Sequence, residues 1–383
     1  MTTRSAHPEA AARRMPAGLR RVALALALLA FGPAQADSEP DPRATALISE
    51  LGLQAGGQAM RDLPGWQRPT KIVVARANAD QLAQLQATLP GVTLVAAAQG
   101  DALAAQLAGA QAAIGLCDAD TLAAAPGLRW IQAFSVGVEN CVVVPGLLER
   151  GIVLTNMQRT SGPPIAEHAI AMAMALARGL PQFSRRQVAG QWDDTNPGMR
   201  EVGGRTLLVV GLGGIGTEVA RRGHALGMRV IAVRNSSREG PDYVAKVGLP
   251  NEMLALAAEA DVVVNAVPLT PETTNIFNRA FFAALPRGAT FINVGRGRSV
   301  VTDDLVAALQ SGQLGGAGLD VTEPEPLPAG HPLWAMPNVL ITPHVAAQSD
   351  VQGPRTWILL AENLRRFSEG EPLLNVVDIK RGY

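Results

Sequence analysis

The chain has 383 residues, of which 48% are hydrophobic, and its 33 basic and 33 acidic side chains give a formal net charge of zero. This length and apolar fraction are enough for two domains with buried cores, and they exclude an intrinsically disordered protein. The balanced charge, with no long basic run outside the N-terminal region, argues against nucleic acid as a main partner.

The sequence contains two cysteines, Cys117 and Cys141. Neither belongs to a Cys-x-x-Cys motif or a Cys/His cluster, so we predict no metal site. Both flank apolar segments, and we expect them to be small buried side chains rather than a disulfide or a nucleophile.

The first 36 residues are typical of a secretory signal peptide. Arginine pairs at 13–14 and 20–21 precede an apolar run at 22–31 that is too short to span a bilayer, and Ala34-Gln35-Ala36 is a small-x-small cleavage site. We therefore expect residues 1–36 to be removed after Ala36, and the mature protein to be periplasmic or secreted without stable membrane association. The twin-arginine and the general export routes are both open, and a retained N-terminal anchor or a mis-assigned start is the alternative.

The next region, 37–162, is predicted to be an α/β unit. Segment 37–69 is rich in proline and glycine, and we expect it to lie on the surface with one short helix at 44–51. Strand and helix patterns then alternate, which predicts a parallel sheet covered by helices. The predicted strands are 71–75, 92–96, 112–116, 129–134 and 152–156, and the predicted helices are 80–89, 101–107 and 118–125.

A long apolar segment, 165–180, follows this unit. Glu167, His168 and Arg178 interrupt it, so it predicts a buried interdomain helix rather than a membrane span. His168, like His224 further on, lies in a predicted helix and is expected to be structural.

The second half repeats the alternation. Its predicted strands are 206–210, 229–233, 262–267, 290–294, 318–321 and 339–342. A late helix at 351–368 is placed to return to the first unit. The fold class is therefore α/β, with two Rossmann-like, doubly wound parallel-sheet domains and an active-site cleft between them. We assign 37–162 with 346–383 to the substrate-binding domain and 163–345 to the dinucleotide-binding domain.

The most specific single motif is Gly211-Leu-Gly-Gly-Ile-Gly216, which joins the predicted strand 206–210 to a helix. Gly211 permits the tight turn, Gly213 lets the backbone approach a pyrophosphate, and Gly216 lets the helix pack closely on the strand. The helix N-terminus offers free N–H groups to the phosphates. This order predicts a dinucleotide site rather than a glycine-rich turn without a ligand.

The end of strand 229–233 indicates which dinucleotide is bound. NAD-binding units usually carry an acidic residue there, but this chain has Arg234, Asn235, Ser236 and Arg238, with no carboxylate before Glu239. Guanidinium and hydroxyl groups suit a 2′-phosphate, so we predict NADP as the preferred cofactor, with NAD possible. The alternative is a solvated basic loop with mixed cofactor use.

Three predicted strands of the second domain end in polar residues suited to one chemistry. Arg296 lies between glycines, Glu325 between prolines, and His344 directly after Pro343. The carboxyl ends of such strands face the ligand crevice. An enzyme that transfers hydride to a 2-oxo acid needs a cation for the substrate, an imidazolium to give the proton, and a carboxylate that orients the imidazole and favours its charged form.

These residues lie within motifs that together resemble the D-isomer-specific 2-hydroxyacid dehydrogenase family, and its glyoxylate/hydroxypyruvate reductase branch most closely. The resemblance runs from about residue 71 to the end of the chain. The matching motifs are Ser135-Val-Gly-Val-Glu139, Ile165-Ala-Glu-His168, Gly211 to Gly216, Asn293-Val-Gly-Arg-Gly297, Asp320-Val-Thr-Glu-Pro-Glu325, His331-Pro-Leu-Trp334 and Pro337-Asn-Val-Leu-Ile-Thr-Pro-His344.

The resemblance implies roles for individual residues. Arg296 would bind the substrate, Glu325 rather than Glu323 would be the catalytic glutamate, and His344 would be the general acid/base. The backbone N–H groups of Val136 and Gly137 would take the substrate carboxylate. Cofactor contacts are expected from Gly211, Gly213, Gly214, Ile215, Gly216, Arg234, Asn235, Ser236, Arg238, Val267, Pro268, Thr273 and Asp320, the last near the nicotinamide.

The resemblance also implies hinges near Ile165 and His344, and a homodimer in which Trp192 lies on an arm that can reach the neighbouring active site. The resulting prediction is an NADP-dependent reductase of small 2-oxo acids. Two alternatives remain open from the sequence. One is a dehydrogenase on the same scaffold with phosphite or another donor, and the other is a non-catalytic, dinucleotide-sensing binding protein.

Overall fold

The computed structural model describes residues 40–383, so the predicted signal peptide and its cleavage site lie outside the described residues. Within residues 40–383, no helix is both long and apolar enough to cross a membrane.

The first α/β domain is built on a five-stranded parallel sheet with the order β2-β1-β3-β4-β5. Its apolar strand residues are buried, with helices and loops covering both faces of the sheet. Its elements are α1 (Pro42–Leu51), β1 (Lys71–Val74), α2 (Ala79–Ala87), β2 (Thr93–Ala96), α3 (Ala102–Leu107), β3 (Ala112–Ile114), α4 (Ala119–Ala124), β4 (Trp130–Gln132), α5 (Glu139–Val142) and β5 (Val153–Thr155).

The second domain follows α6 (Gly162–Ala177) and α7 (Leu180–Val188). Its seven parallel strands have the order β12-β11-β10-β9-β6-β7-β8. The remaining elements are β6 (Thr206–Val210), α8 (Gly214–Ala225), β7 (Arg229–Val233), β8 (Val244–Gly248), α9 (Met253–Ala257), β9 (Val262–Asn265), α10 (Arg279–Ala284), β10 (Ala289–Asn293), α11 (Thr302–Gln310), β11 (Leu314–Leu319), β12 (Val339–Ile341) and α12 (Gln352–Glu369).

The predicted fold class is confirmed: there are two parallel-sheet α/β domains, and both sheets reverse their strand order beside the first strand, as doubly wound sheets do. The apolar helix α6 packs on α8 and on strands β10 and β11 of the second domain.

Helix α12 returns to the first domain. Its Leu360, Leu364 and Phe367 are buried in the core of that domain, where the Phe367 ring lies 5.1 Å from the ring of Trp130. The first domain is therefore closed by residues that follow the second domain in sequence.

The segment before β1 contributes to the core of the first domain. Its predicted short helix is present as α1, which packs against α12. The expectation that this segment lies on the surface is wrong for Leu47, Leu53 and Met60, which are all buried. These side chains cover apolar surface that α12 and the sheet leave open.

The two cysteines form a disulfide, so the expectation that they are separate buried thiols is wrong. Cys117 follows β3, and Cys141 lies in α5, which follows the neighbouring strand β4. The carboxyl ends of adjacent parallel strands lie side by side, which brings the two Cα atoms to 5.5 Å despite a sequence separation of 24.

Candidate active site

The glycine motif forms the turn between β6 and α8. Gly211 has a φ of 98°, and a Cβ there would lie 2.7 Å from the carbonyl oxygen of Ala266. A Cβ on Gly216 would collide with the carbonyl of Gly211, whereas a Cβ on Gly213 would meet no atom within 4 Å. The first and last glycines are therefore needed for packing. The open space at Gly213, in front of the α8 N-terminus, fits the pyrophosphate of a dinucleotide.

A second loop lies against this turn. It follows β9 and contains Val267 and Pro268, with the backbone N of Val267 close to Gly211. Thr273 closes the loop by donating its hydroxyl to the carbonyl of Pro268 at 2.6 Å. The structure thus places Val267 next to the glycine motif, and Pro268 and Thr273 in the loop that continues from it.

The basic loop after β7 is ordered by its own contacts. Arg234 donates from Nε to Ser236 Oγ at 3.1 Å and from Nη1 to the carbonyl of Glu239 at 2.9 Å. Arg238, by contrast, is paired with Glu252 at 2.7 Å. Asn235 donates from its amide to the Tyr383 hydroxyl at 3.2 Å. Of the two arginines, Arg234 is the one that no carboxylate neutralises within residues 40–383.

His344 and Glu325 form a pair that is partly exposed to solvent. His344 Nδ1 lies 2.6 Å from Glu325 Oε1, and the two side chains are 47% and 41% exposed. His344 has a φ of 55°, in the left-handed region that non-glycine residues rarely adopt. Such backbone strain persists only where the surrounding contacts hold the residue in place, and it is common at active sites.

Asp320 supplies those contacts. The carboxylate is 4% exposed and accepts hydrogen bonds from the Thr342 hydroxyl at 2.6 Å and from the backbone N–H groups of Val345 and Ala346 at 2.9 and 3.1 Å. Its backbone carbonyl accepts from the His344 N–H at 2.8 Å. Asp320 therefore fixes the backbone on both sides of the histidine.

His168 joins the same network from α6. Its Nε2 lies 2.9 Å from the Thr342 hydroxyl and 3.8 Å from Asp320 Oδ1. It thus contacts the groups that hold His344 in place, and its structural role stays a prediction. His224 lies elsewhere, stacked on Tyr243.

Arg296 reaches from the second domain to the loop that precedes α5. It lies directly against Gly137, because a Cβ on that residue would collide with the guanidinium. Asn156 and Ser135 hold the loop by donating to the carbonyls of Val136 and Gly137, each at 2.7 Å. The N–H groups of Val136 and Gly137 donate to no acceptor within residues 40–383, so both are available to an anion.

Glu139 completes this part of the site, and sequence reasoning gave it no role. Its Oε1 accepts a hydrogen bond from Arg296 Nε at 2.7 Å. Burial raises the pKa of the Glu139 carboxyl, but the hydrogen bond and charge of Arg296 outweigh burial and hold that pKa below its ordinary value. The charge of His344 acts in the same direction, so Arg296 and His344 converge on one region.

Other side chains considered from the sequence lie apart from this region. Arg298 is exposed, and Trp192 is fully exposed in a segment without regular structure. In the part of the chain that the structure describes, no group of three or more His, Cys, Asp or Glu side chains is placed to hold a metal ion.

Comparison with known proteins identifies the family. Residues 170–346 match the model described as D-isomer specific 2-hydroxyacid dehydrogenase, NAD binding domain. A glyoxylate reductase from Korarchaeum cryptofilum is 36% identical over 266 residues, which cover 68% of this chain and 79% of that protein. The chain belongs to the D-isomer-specific 2-hydroxyacid dehydrogenase family. The resemblance drawn from its motifs is thereby confirmed.

Two further relatives bear on cofactor and substrate. A structure of an NADPH-dependent glyoxylate/hydroxypyruvate reductase from Sinorhizobium meliloti, in complex with NADP and sulfate, has a TM-score of 0.71 and 31% identity, covering 82% of this chain and 99% of that one. A D-3-phosphoglycerate dehydrogenase from Archaeoglobus fulgidus is 34% identical over 263 residues, which cover 68% of this chain but 49% of that protein. The chain is thus a 2-hydroxyacid dehydrogenase of the glyoxylate reductase branch, an oxidoreductase that binds a pyridine nucleotide and reduces a 2-oxo acid.

Proposed function

We propose that this dehydrogenase uses NADPH to reduce small 2-oxo acids, such as glyoxylate and hydroxypyruvate, to D-2-hydroxy acids, with His344 as the proton donor. The observation that carries the proposal is the 2.6 Å contact between His344 and Glu325, close to Arg296, since the charges of Arg296 and His344 both act on Glu139. The bound cofactor would supply the hydride to the carbonyl carbon. The residues of this chain bind the substrate, orient it and supply the proton.

The proton transfer uses the two ring nitrogens of His344 differently. A carboxylate only accepts hydrogen bonds, so the Nδ1–H group points to Glu325 and the Nε2–H group is left for the substrate. As the carbonyl carbon receives hydride, its oxygen takes the Nε2 proton and becomes the hydroxyl of the product. Glu325 keeps the ring oriented and stabilises its positive charge before the transfer.

We assign substrate binding to the loop that contains Val136 and Gly137 and to the neighbouring Arg296. The free N–H groups of Val136 and Gly137 and the adjacent guanidinium of Arg296 offer donors to a carboxylate. Hydrogen bonds from Arg296 to the carbonyl oxygen would also polarise the bond that is reduced. These donors suit a substrate whose carboxylate and carbonyl are adjacent, as in a 2-oxo acid.

The cofactor preference rests on Arg234. Its guanidinium lies at the end of β7, where a 2′-phosphate would lie, and no carboxylate neutralises it within residues 40–383. The relative from Sinorhizobium meliloti is described as NADPH-dependent and in complex with NADP, which favours the same preference here.

The test measures the oxidation of NADPH and NADH by the purified protein with glyoxylate, hydroxypyruvate and 3-phosphohydroxypyruvate. We expect fast NADPH oxidation with the first two substrates and little NADH oxidation. Arg234→Ala should raise the KM for NADPH about tenfold and leave the KM for NADH unchanged, because one charge-assisted phosphate contact is lost. Arg238→Ala is the matched control, with a smaller effect expected because Glu252 already pairs with that arginine. Equal use of both cofactors would refute the preference.

We further propose that the enzyme is a homodimer whose arm consists of α7 and the segment that follows it. Val188 and Trp192 in this region are exposed apolar side chains, which on a protein surface are typical of an interface. Light scattering coupled to size-exclusion chromatography should give twice the chain mass. Trp192→Glu should shift the mass toward the monomer, and a monomeric wild-type protein would contradict the proposal.

We also propose that the protein is exported to the periplasm or secreted, and that its signal peptide is cleaved after Ala36. The disulfide between Cys117 and Cys141 supports it, because disulfides persist in oxidising compartments and are rare in the cytosol. Cell fractionation, with N-terminal sequencing of the recovered protein, tests both statements. A cytosolic protein with reduced cysteines that begins at Met1 would disprove them.

A further inference from the structure

Glu139 accepts some of the hydrogen bonds that Arg296 can donate, although the proposed function assigns Arg296 to the substrate. Its carboxylate takes the Nε–H of Arg296 at 2.7 Å and lies 3.5 Å from Nη2, while Nη1 donates to the carbonyl of Gly295 at 2.8 Å. A guanidinium has five N–H groups. Within residues 40–383, one N–H on Nη1 and one on Nη2 are therefore left without an acceptor, enough for one bond to the substrate carboxylate and one to the adjacent carbonyl oxygen.

The position of Glu139 is set by its surroundings. It begins α5, and the same short helix carries Cys141, which is bonded to Cys117 beside β3. The guanidinium of Arg296 lies against Gly137, in the space that a Cβ on that residue would fill. Both partners of the pair are partly buried, with 24% of the Arg296 side chain and 31% of the Glu139 side chain exposed. Their charges are therefore only partly screened by water.

With His344 protonated, the site has two positive groups, Arg296 and His344, and each is already paired with a carboxylate, Glu139 and Glu325 respectively. Arg296 is shared between Glu139 and the incoming carboxylate, and Glu325 stands across the crevice beside His344. A substrate with one carboxylate meets the two open N–H groups of Arg296. A second carboxylate or a phosphate on the substrate would meet Glu139 or Glu325, whose negative charges oppose its binding.

We propose that Glu139 is a specificity-determining residue that restricts the enzyme to 2-oxo acids with a single negative charge. The proposal rests on the proposed function, since it takes Arg296 as the partner of the substrate carboxylate. It favours glyoxylate and hydroxypyruvate over dianionic 2-oxo acids such as oxaloacetate, and over phosphorylated ones such as 3-phosphohydroxypyruvate.

The decisive experiment compares two nearly isosteric probes, oxamate with one negative charge and oxalate with two. Both are titrated calorimetrically into the enzyme saturated with NADPH at neutral pH. Glu139→Gln keeps an oxygen for Arg296 but removes the charge. It should tighten oxalate binding about tenfold and change oxamate binding less than about twofold, as expected for the loss of one like charge a few ångströms away. An equal change for both probes, or none for either, would overturn the proposal.

Two further variants separate charge from contact. Glu139→Asp keeps the charge on a shorter side chain, so the ratio of oxalate to oxamate affinity should stay within about twofold of wild type. Glu369→Gln removes one negative charge from the exposed end of α12 and should leave the ratio unchanged. If Glu139→Gln does not fold, the wild-type enzyme still decides the question, because tighter binding of oxalate than of oxamate contradicts the proposal.

Turnover gives the same test with substrates. Glu139→Gln should raise kcat/KM for oxaloacetate and 3-phosphohydroxypyruvate about tenfold relative to glyoxylate, by lowering KM rather than by raising kcat. If the wild-type enzyme reduces no 2-oxo acid and the ratio of oxalate to oxamate affinity still shifts, the proposed function fails and the charge selection stands. If the wild-type enzyme reduces glyoxylate and Glu139→Gln leaves the ratio of oxalate to oxamate affinity unchanged, the proposed function stands and the charge selection fails.

Discussion

Asp320 and Glu325 are separated by only four residues along the chain, and both hold His344, but their surroundings differ. Asp320 is buried and accepts hydrogen bonds from three neutral donors that fix the backbone on either side of the histidine. Glu325 is 41% exposed and contacts the imidazole ring itself. A buried carboxylate that accepts several hydrogen bonds from neutral groups is suited to fix the backbone. An exposed carboxylate against the imidazole ring can instead stabilise the positive charge of that ring. Asp320 thus contacts the backbone and Thr342 around His344, whereas Glu325 contacts the ring that we propose to donate the proton.

Asp320 and Glu325 both contact His344, so replacing His344 should lower kcat more than replacing either acid. His344→Gln keeps a polar side chain without the titratable ring, so kcat should fall about a thousandfold, within the range for loss of a general acid. The Kd for NADPH should change little, because within residues 40–383 His344 makes no hydrogen bond with the glycine motif or with the loop that carries Arg234. Stopped-flow NADPH oxidation and fluorescence titration measure the two quantities. An unchanged kcat would remove His344 from the mechanism.

Neutralising the exposed acid should have the next largest effect. Glu325→Gln preserves an acceptor for Nδ1–H but not the charge that stabilises the imidazolium, so kcat should fall about a hundredfold. The melting temperature should change by no more than a few degrees, since both side chains are largely solvated. Glu323→Gln, two residues before it, is the matched control and should retain most of the activity. A large fall in the melting temperature of Glu325→Gln would contradict this prediction, because Glu325 would then stabilise the fold as Asp320 does.

Neutralising the buried Asp320 should instead affect stability more than kcat. In Asp320→Asn the amide must direct a donor at a backbone N–H or leave one unpaired, which should cost about 2 kcal/mol in the free energy of unfolding. We expect kcat to fall only about tenfold, through poorer placement of His344. Urea denaturation and steady-state kinetics check this, with the exposed Asp80→Asn as a control for charge loss. A normal stability with a hundredfold slower rate would give Asp320 a chemical role instead.

The accuracy of the sequence predictions follows the physical character of each element. Strands β6 and β7 were predicted with both ends correct, because each is a short apolar run of buried residues bounded by polar or glycine residues. Strand β11 was predicted too late, at 318–321, because Gly315 and Gly316 hide its start. The edge strand β8 was missed, since Lys246 interrupts its apolar pattern.

The same contrast holds within the site. The pairing of Glu325 with His344 was expected from their place after two strands, and the structure brings them together. Their catalytic roles remain predictions. The contact of Glu139 with Arg296 and the disulfide were missed because each joins residues that are far apart in sequence and that no motif pairs with each other. Such contacts depend on how elements pack, which local patterns do not contain.

The return of α12 to the first domain has a consequence for biosynthesis. While the ribosome is still translating the second domain, the apolar surface that Leu360, Leu364 and Phe367 later cover is exposed on the nascent first domain. The second sheet can form before α12 has emerged from the ribosomal exit tunnel, whereas the first domain must wait for it. The domain that begins synthesis first is therefore the last to finish folding, and its open core is the natural target for chaperones during that interval.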